Sequence, residues 1–395
     1  MEDAFVSSRA PPRLTARLDS LPPSGTMAVS ARVRQLRARG MDVINLGGGI
    51  AEPAPPCLDT PVTLGAQRNV GGDPAGEADL RAALAKKLLR DQGLTYEPDT
   101  EIVITNGAKQ AILPVLLAIL EPGDEVLVLD PCWVSYAPTI RIAGGVPIPV
   151  SLRDGDSFRL DASALAAGVT KRTRAMIVNS PHNPTGRVFT REELAGAAAI
   201  AVERNLWVLC DESFDKFVYD GHRHLSIATL EEMRRRTVVI QSFSKAFALP
   251  GARVGYLAAP REICRAVARF NEHVITCVSP LMQSVALAAL AGEAQWIRQL
   301  IERHQLKRTV VHGMLACMSQ IRFTPTEGTF YAFVDVRGYD SSSQSFADRM
   351  IDEAHVAVTP GIAFGSCAEG FVRINLVGPL ADLEEGLRRM RRVLA

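Results

Sequence analysis

The 395-residue chain is poor in lysine: seven of its 44 basic residues are lysines, at positions 86, 87, 109, 171, 216, 245 and 307, against 37 arginines. Chemistry that needs a primary amine therefore has few candidates. Charge of one sign is missing as well. The basic residues balance 43 acidic ones to a net +1, so no bulk attraction draws the chain to nucleic acid or to an anionic membrane. No run of 18 apolar residues occurs, which excludes a spanning helix of ordinary length. The N-terminus, MEDAFVSSRAPPRL, opens with acids and lacks the basic-then-apolar order of a signal peptide. The seven cysteines form no CxxC pair and the seven histidines no HxxxH spacing. Scattered thiols of this kind fit a reducing cytoplasm and no metal site.

What is present is a globular composition. Hydrophobic residues make up 47% and charged residues 22%, too apolar for disorder. Residues 1–25 are rich in Pro and Ser and read as an arm. Residues 26–39 have helical periodicity closed by Gly40, and a short strand over 42–46 runs into Gly47, Gly48 and Gly49. From residue 101 short apolar runs alternate with helical ones: strands over 101–105, 125–130, 146–150, 174–179, 206–211 and 237–244, helices over 107–120 and 191–205. That rhythm predicts an α/β unit with a largely parallel sheet. After about residue 290 the texture changes to a long helix (295–318), an alternating strand (329–336), a helix (346–354), a strand (371–376) and a closing helix (380–394). The expected division is a large α/β domain over 49–290 and a smaller α+β domain from 26–48 with 291–395.

In parallel α/β sheets ligands bind at the carboxyl ends of strands. Asn183 in SPHNPTG, Asp211 in LCDESF and Lys245 in SFSKAFALPGARVGY all fall at such ends. Singly each has a plain structural explanation, as a turn, a cap or a solvated cation. Together they match the needs of pyridoxal phosphate: an amine for a Schiff base, an anion for the ring nitrogen and a phosphate cradle. Lys245 supplies the amine, made nucleophilic by burial and nearby cations. Asp211 can hold the ring nitrogen protonated, and Ser242, Ser244 and Arg253 can ligate phosphate. ITNGAKQAI adds a glycine turn opening a helix, whose free N–H groups favour an anion.

These stretches, with GMDVINLGGG, DPCWVSYAPTIRIAGGVPIPV, EGTFYAF, VTPGIAFG and FVRINL, resemble the class I/II aminotransferases of pyridoxal-phosphate fold type I, nearly end to end. The resemblance implies a large domain with a mostly parallel sheet and a smaller α+β domain. It implies that Trp133 stacks on the pyridine ring, that Asn183 donates to the ring's phenolic oxygen, and that Gly107, Ala108 and Lys109 form the phosphate-binding helix start. Arg373 would clamp the substrate α-carboxylate, with Gly49 or a neighbouring glycine letting the backbone approach it. Lys109 matches a lysine that reaches a distal carboxylate in bacterial aspartate aminotransferases, which points to an acidic or polar substrate side chain. A homodimer with shared active sites is implied too, the TCVSP segment (276–280) being the stretch expected to lend residues across.

Two positions depart from the pattern. Phe214 stands where the family has a tyrosine whose hydroxyl reaches the phenolic oxygen; Tyr219 and Tyr136 are possible substitutes. Gly71 stands where a tyrosine reaches the partner's cofactor phosphate. Neither touches Lys245, Asp211 or Arg373, so loss of the α-proton to a quinonoid should survive. The expected activity is transfer of an amino group from an α-amino acid to a 2-oxo acid. The altered pocket keeps a specialised elimination, replacement or cyclisation enzyme as the alternative. A non-catalytic cofactor-binding regulator is remote, because the arm before Thr26 is too short for a DNA-binding helix-turn-helix.

Overall fold

A computed structural model describes residues 16–19, 21–48, 71–153, 155 and 157–395. Its centre is a seven-stranded sheet in the spatial order Ile102–Thr105, Gly255–Ala258, Thr237–Ser242, Trp207–Asp211, Thr173–Asn179, Glu125–Asp130, Val146–Ser151. Five neighbouring strands run parallel, and Gly255–Ala258 is antiparallel to both of its neighbours. The strands are continuous apolar runs because helices cover both faces. On one face pack Ala108–Ile119 and Arg261–Val274, whose Ile112, Val115, Val267 and Ile263 meet Val103, Ile177 and Leu257. On the other, Arg191–Glu203 sets Leu194, Ala197 and Ala201 against Met176, Val178 and Val208. That helix starts at a reciprocal cap: Thr190 accepts from the Glu193 N–H while the Glu193 carboxylate accepts from the Thr190 N–H.

A second, four-stranded antiparallel sheet has the order Thr359–Pro360, Phe371–Asn375, Tyr331–Asp335, Arg322–Phe323. The alternation over 329–336 suggests a half-exposed strand, but every residue of Tyr331–Asp335 is buried. The cause is packing on both faces. On the face that Tyr331 and Phe333 share, Phe333 meets Phe158, Phe364 and Phe371 and Tyr331 meets Phe214, while Ala332 and Val334 on the other face join the buried cluster of Leu300, Val311 and Leu315. The long helix Glu293–Ala316 ties the two sheets together. Its Trp296 indole donates to the Ala246 carbonyl at 3.0 Å, one residue beyond Lys245.

The remaining expected elements fall within a few residues of their predicted bounds, except that the first strand contracts to Ile44–Asn45, paired in parallel with Val356–Ala357. The strand predicted over 237–244 ends at Ser242, where the chain turns, so Ser244 and Lys245 lie in a loop. Arg234, Arg235 and Arg236, which as a run of charge before a strand read as a solvated face, do not all face solvent freely. Arg234 donates to the Thr95 carbonyl at 3.1 Å and to Glu101 at 2.7 Å, with its guanidinium 3.7 Å from the Tyr96 ring centre.

Candidate active site

Strand order brings the singled-out residues together. Asn179 and Asp211 are register partners at the carboxyl ends of adjacent parallel strands, and the Asn179 amide donates to the Asp211 carbonyl at 2.8 Å. Ser242 closes the neighbouring strand two positions beyond Ile240, the register partner of Asp211, and lies opposite Gly255. Gly255 also pairs with Thr105, whose strand feeds the turn at Gly107. A side chain at 255 would lie 2.6 Å from the Ala108 nitrogen, so only glycine lets the helix start approach the sheet so closely. Gly107, at φ +77°, caps the helix Ala108–Ile119. The N–H groups of Ala108 and Lys109 are then first-turn donors with no carbonyl partner within their helix.

A cavity of about 370 Å³ is lined by Ala108, Lys109, Trp133, Asn183, Asp211, Phe214, Ser242, Ser244, Lys245 and Arg253, among others. A second, of about 240 Å³, shares Lys245, Trp133 and Tyr331 and adds Gly47, Gly48, Phe330 and Arg373. The sequence-predicted residues therefore border one continuous region, except Gly107, which sits directly behind Arg253, and Gly49, which lies outside the described residues.

The Lys245 ammonium nitrogen lies 5.5 Å from the Phe214 ring centre and 5.3 Å from that of Phe330, a largely aromatic wall. Asp211 is fully buried, and burial pushes its carboxyl pKa up against the opposing donors Ser213 and Tyr136. Next along the chain Glu212 faces away, into a separate buried network. There burial is outweighed by His224, Ser226 and Gln92, which hold its carboxyl down at about 2. Lys109 sits 5.1 Å above the Trp133 ring centre; burial first, and the Arg253 charge second, lower its ammonium pKa. Arg253 itself is exposed, in a left-handed backbone conformation (φ +53°), and donates to the backbone carbonyls of Pro250 (3.0 Å) and Asn106 (3.4 Å).

Arg373 is the sharpest feature. It is 4% exposed, donates to Asn183 Oδ1 at 2.8 Å and the Gly47 carbonyl at 3.3 Å, and stacks 3.9 Å from the Tyr331 ring centre. No acidic side chain pairs with it among the described residues, and its Nε is buried without a partner. Burial lowers its pKa. A buried guanidinium without a carboxylate is costly, and its natural complement is a carboxylate ligand. Because a guanidinium only donates, the contact also fixes the Asn183 oxygen toward Arg373, leaving its amide NH2 for a ligand.

These residues fit pyridoxal phosphate. An amine, a buried carboxylate, an amide donor and a cationic, N–H-rich helix start line one cavity, and the cradle is too tight for any residue but glycine at 107 and 255. A family model described as aminotransferase class I and II matches residues 52–390. The chain belongs to the class I and II aminotransferases. It is 38% identical to an aspartate aminotransferase of Pyrococcus abyssi, across 96% of this chain and 98% of that one. It is 40% identical to an aromatic-amino-acid aminotransferase of Thermococcus litoralis, across 81% and 82%. The solved aspartate aminotransferase of Thermus thermophilus with maleate superimposes with a TM-score of 0.90 at 32% identity, across 97% of this chain and all of that one. This aminotransferase therefore has the pyridoxal-phosphate fold type I and is a pyridoxal-phosphate-dependent transferase that moves amino groups between amino acids and 2-oxo acids. The relatives do not favour the elimination or cyclisation alternative.

Neither tyrosine offered as a substitute for the hydroxyl missing at Phe214 is free for that task. The Tyr219 hydroxyl donates to the Thr329 carbonyl at 2.7 Å, and the Tyr136 hydroxyl to Asp211 Oδ2 at 2.7 Å. Sequence reasoning did not assign Ser213, Tyr331, Gly255, or Thr26 and Met27 at a helix start, which line both cavities. Tyr331 was legible in principle, being two residues along a strand from the register partner of Arg373.

Proposed function

We propose that this aminotransferase acts on an α-amino acid with an acidic side chain, using Lys245 as Schiff-base lysine and proton carrier and Arg373 as the α-carboxylate anchor. The observation that carries the reading is Arg373, buried and without an acidic partner among the described residues, on a cavity shared with Lys245. Pyridoxal phosphate, when bound, supplies an electron sink that makes the substrate's α-proton acidic. Arg373 orients the carboxylate through its planar fork, which fixes where the α-carbon lies. With the cofactor bound, the Lys245 nitrogen would take the α-proton and later give it back, the general acid–base step of transfer. Asp211 would hold the ring nitrogen, Asn183 the phenolic oxygen and Trp133 the ring face. Arg253, Ser242, Ser244 and the N–H groups of Ala108 and Lys109 hold the phosphate.

Lys109, exposed and 5.1 Å from the Trp133 ring centre, lines the same cavity and is the candidate partner of a distal carboxylate, and two of the relatives above are named for aspartate. The aromatic wall of Phe214, Phe330 and Tyr331 supports a second reading, an aromatic substrate. The homodimer with 276–280 near the neighbouring site, the division into domains at 49–290 and 26–48 with 291–395, and a cytoplasmic location are parts of the same proposal. The test is a substrate panel run on the enzyme and on Lys109→Met. An acidic substrate predicts a rise in KM of roughly tenfold for aspartate, the size of one lost charged contact, with aromatic amino acids unaffected. Equal effects on both classes reject the acidic assignment. Borohydride reduction of the holoenzyme with peptide mapping should place the cofactor on Lys245.

A further inference from the structure

The carboxylate of Asp211 is surrounded by donors from the chain itself. Oδ1 accepts from the Ser213 backbone N–H at 3.0 Å and from the Ser213 hydroxyl at 2.6 Å. Oδ2 accepts from the Tyr136 hydroxyl at 2.7 Å. All three residues are buried. An ionised carboxylate offers about four acceptor positions, two on each oxygen. Among the described residues the chain thus occupies both positions of Oδ1 and one of Oδ2, and a single position remains, on Oδ2. Each filled position is a hydrogen bond to the charged form, which opposes the tendency of burial to neutralise the acid.

We propose that Ser213 is a positioning residue for the cofactor: with Tyr136 it fills the acceptor set of Asp211 so that the one open position, on Oδ2, receives the N–H of the pyridine ring. The inference rests on the reading of Asp211 as the ring-nitrogen partner. The backbone contact at 213 is available to any non-proline residue. The hydroxyl is what serine adds, and its short contact locks the carboxylate plane from the side opposite Tyr136. Without it Oδ1 carries an open position of its own, and the carboxylate can rotate or take up a proton. A buried acid that has gained a proton no longer holds the ring nitrogen charged. Burial and the Asp211 charge push the Tyr136 phenol far above its ordinary range, so that hydroxyl stays a donor throughout.

The test titrates the apoenzyme with pyridoxal phosphate and with the analogue in which a C–H replaces the ring nitrogen. The enzyme should prefer the natural cofactor, and Ser213→Ala should reduce that preference by about tenfold, the size of one charge-assisted hydrogen bond. Affinity for the analogue should barely change. Ser213→Thr, which keeps a hydroxyl, should retain the preference. In NMR of isotope-labelled cofactor, the ring-nitrogen resonance of the alanine variant should move toward the unprotonated position. Equal losses for the two compounds mean a structural role and overturn the inference, as does an unchanged preference. Asp211→Asn in the same titration separates the two levels. If it too leaves the preference intact, the assignment of Asp211 fails; if it abolishes the preference while Ser213→Ala does not, only the role of Ser213 fails.

Discussion

Replacing Arg373 with methionine separates what the residue does for the fold from what it does for the substrate. In the free protein its charge is compensated by carbonyl oxygens and rings rather than by an acid. It contacts Asn183 at 2.8 Å and Gly47 at 3.3 Å, with Tyr331 at 3.9 Å and Phe364 at 4.7 Å from the guanidinium carbon. Desolvating a guanidinium costs several kcal/mol. Two charged hydrogen bonds and two cation–π contacts return about that much. Methionine fills similar space and avoids the desolvation, but leaves the Asn183 oxygen without its donor. The Gly47 carbonyl keeps the Thr359 hydroxyl at 2.9 Å. The net change in unfolding free energy should therefore be small, within about 2 kcal/mol. Binding should respond quite differently. Losing one partner of a buried, forked carboxylate pair costs roughly 4 kcal/mol, about a thousandfold in affinity. The assay compares an α-methyl amino acid, which binds but has no α-proton, with the corresponding amine lacking the carboxylate. The variant should lose its affinity for the acid and keep that for the amine, with a nearly unchanged denaturation midpoint. Equal losses for both ligands, or retained affinity for the acid, would refute the anchor.

Phe214→Tyr restores a hydroxyl at the wall beside Lys245. One hydrogen bond of about 1 kcal/mol to the cofactor's anionic oxygen lowers the pKa of the Lys245–cofactor imine by about 0.7, read from the pH dependence of the holoenzyme's absorbance; an unmoved titration places Phe214 away from that oxygen. Acid stability should carry the signature of His182, whose neutral ring is fully buried with Nδ1 2.7 Å from the Thr185 hydroxyl oxygen and whose pKa burial lowers to about 3. The unfolded chain binds this proton near pH 6.5 and the folded one near 3, so the contribution is complete above 6.5 and falls by about 1.4 kcal/mol per pH unit below it. Denaturant midpoints of the protein and of His182→Gln should converge as pH drops from 6.5 toward 3. Parallel midpoints would mean that the histidine titrates alike in both states.

Most of the sheet was legible because its strands are buried on both sides and read as continuous apolar runs. Gly255–Ala258 was not, since GYLA is four residues long and lies in the stretch singled out for its arginine and lysine. Its antiparallel course is nevertheless what brings the helix start at Ala108 alongside Ser242. The helix Pro280–Ala291 was missed for another reason: it is apolar all round and gives little 3.6-residue contrast. The burial of Tyr331–Asp335 was misjudged because alternation predicts one wet face only when nothing packs there, and the aromatic residues that cover it come from positions 158, 214, 364 and 371.

The scarcity of lysine narrowed the search for an amine, but burial alone would have misdirected it. Lys87 is 3% exposed, deeper than Lys245, and Lys307 is 8% exposed. Lys87 is committed elsewhere: it donates to Gln241 at 2.9 Å and lies 3.3 Å from Asp91 and 3.5 Å from Asp215, a network that ties its helix to the sheet. Lys245 differs in its surroundings, with phenyl rings on one side and a cavity on the other. The same contrast separates the arginines. Arg81 and Arg308 are as buried as Arg373, but each has an acid within reach, at Asp99 and Asp220. Arg373 has rings and carbonyls instead. Sequence identifies such a residue only through the motif around it, because the lack of an acidic partner among the described residues depends on how strands 331–335 and 371–375 register, not on any neighbouring letter. A guanidinium met by carbonyls and rings, and by no acid among the described residues, is what a carboxylate substrate can complete.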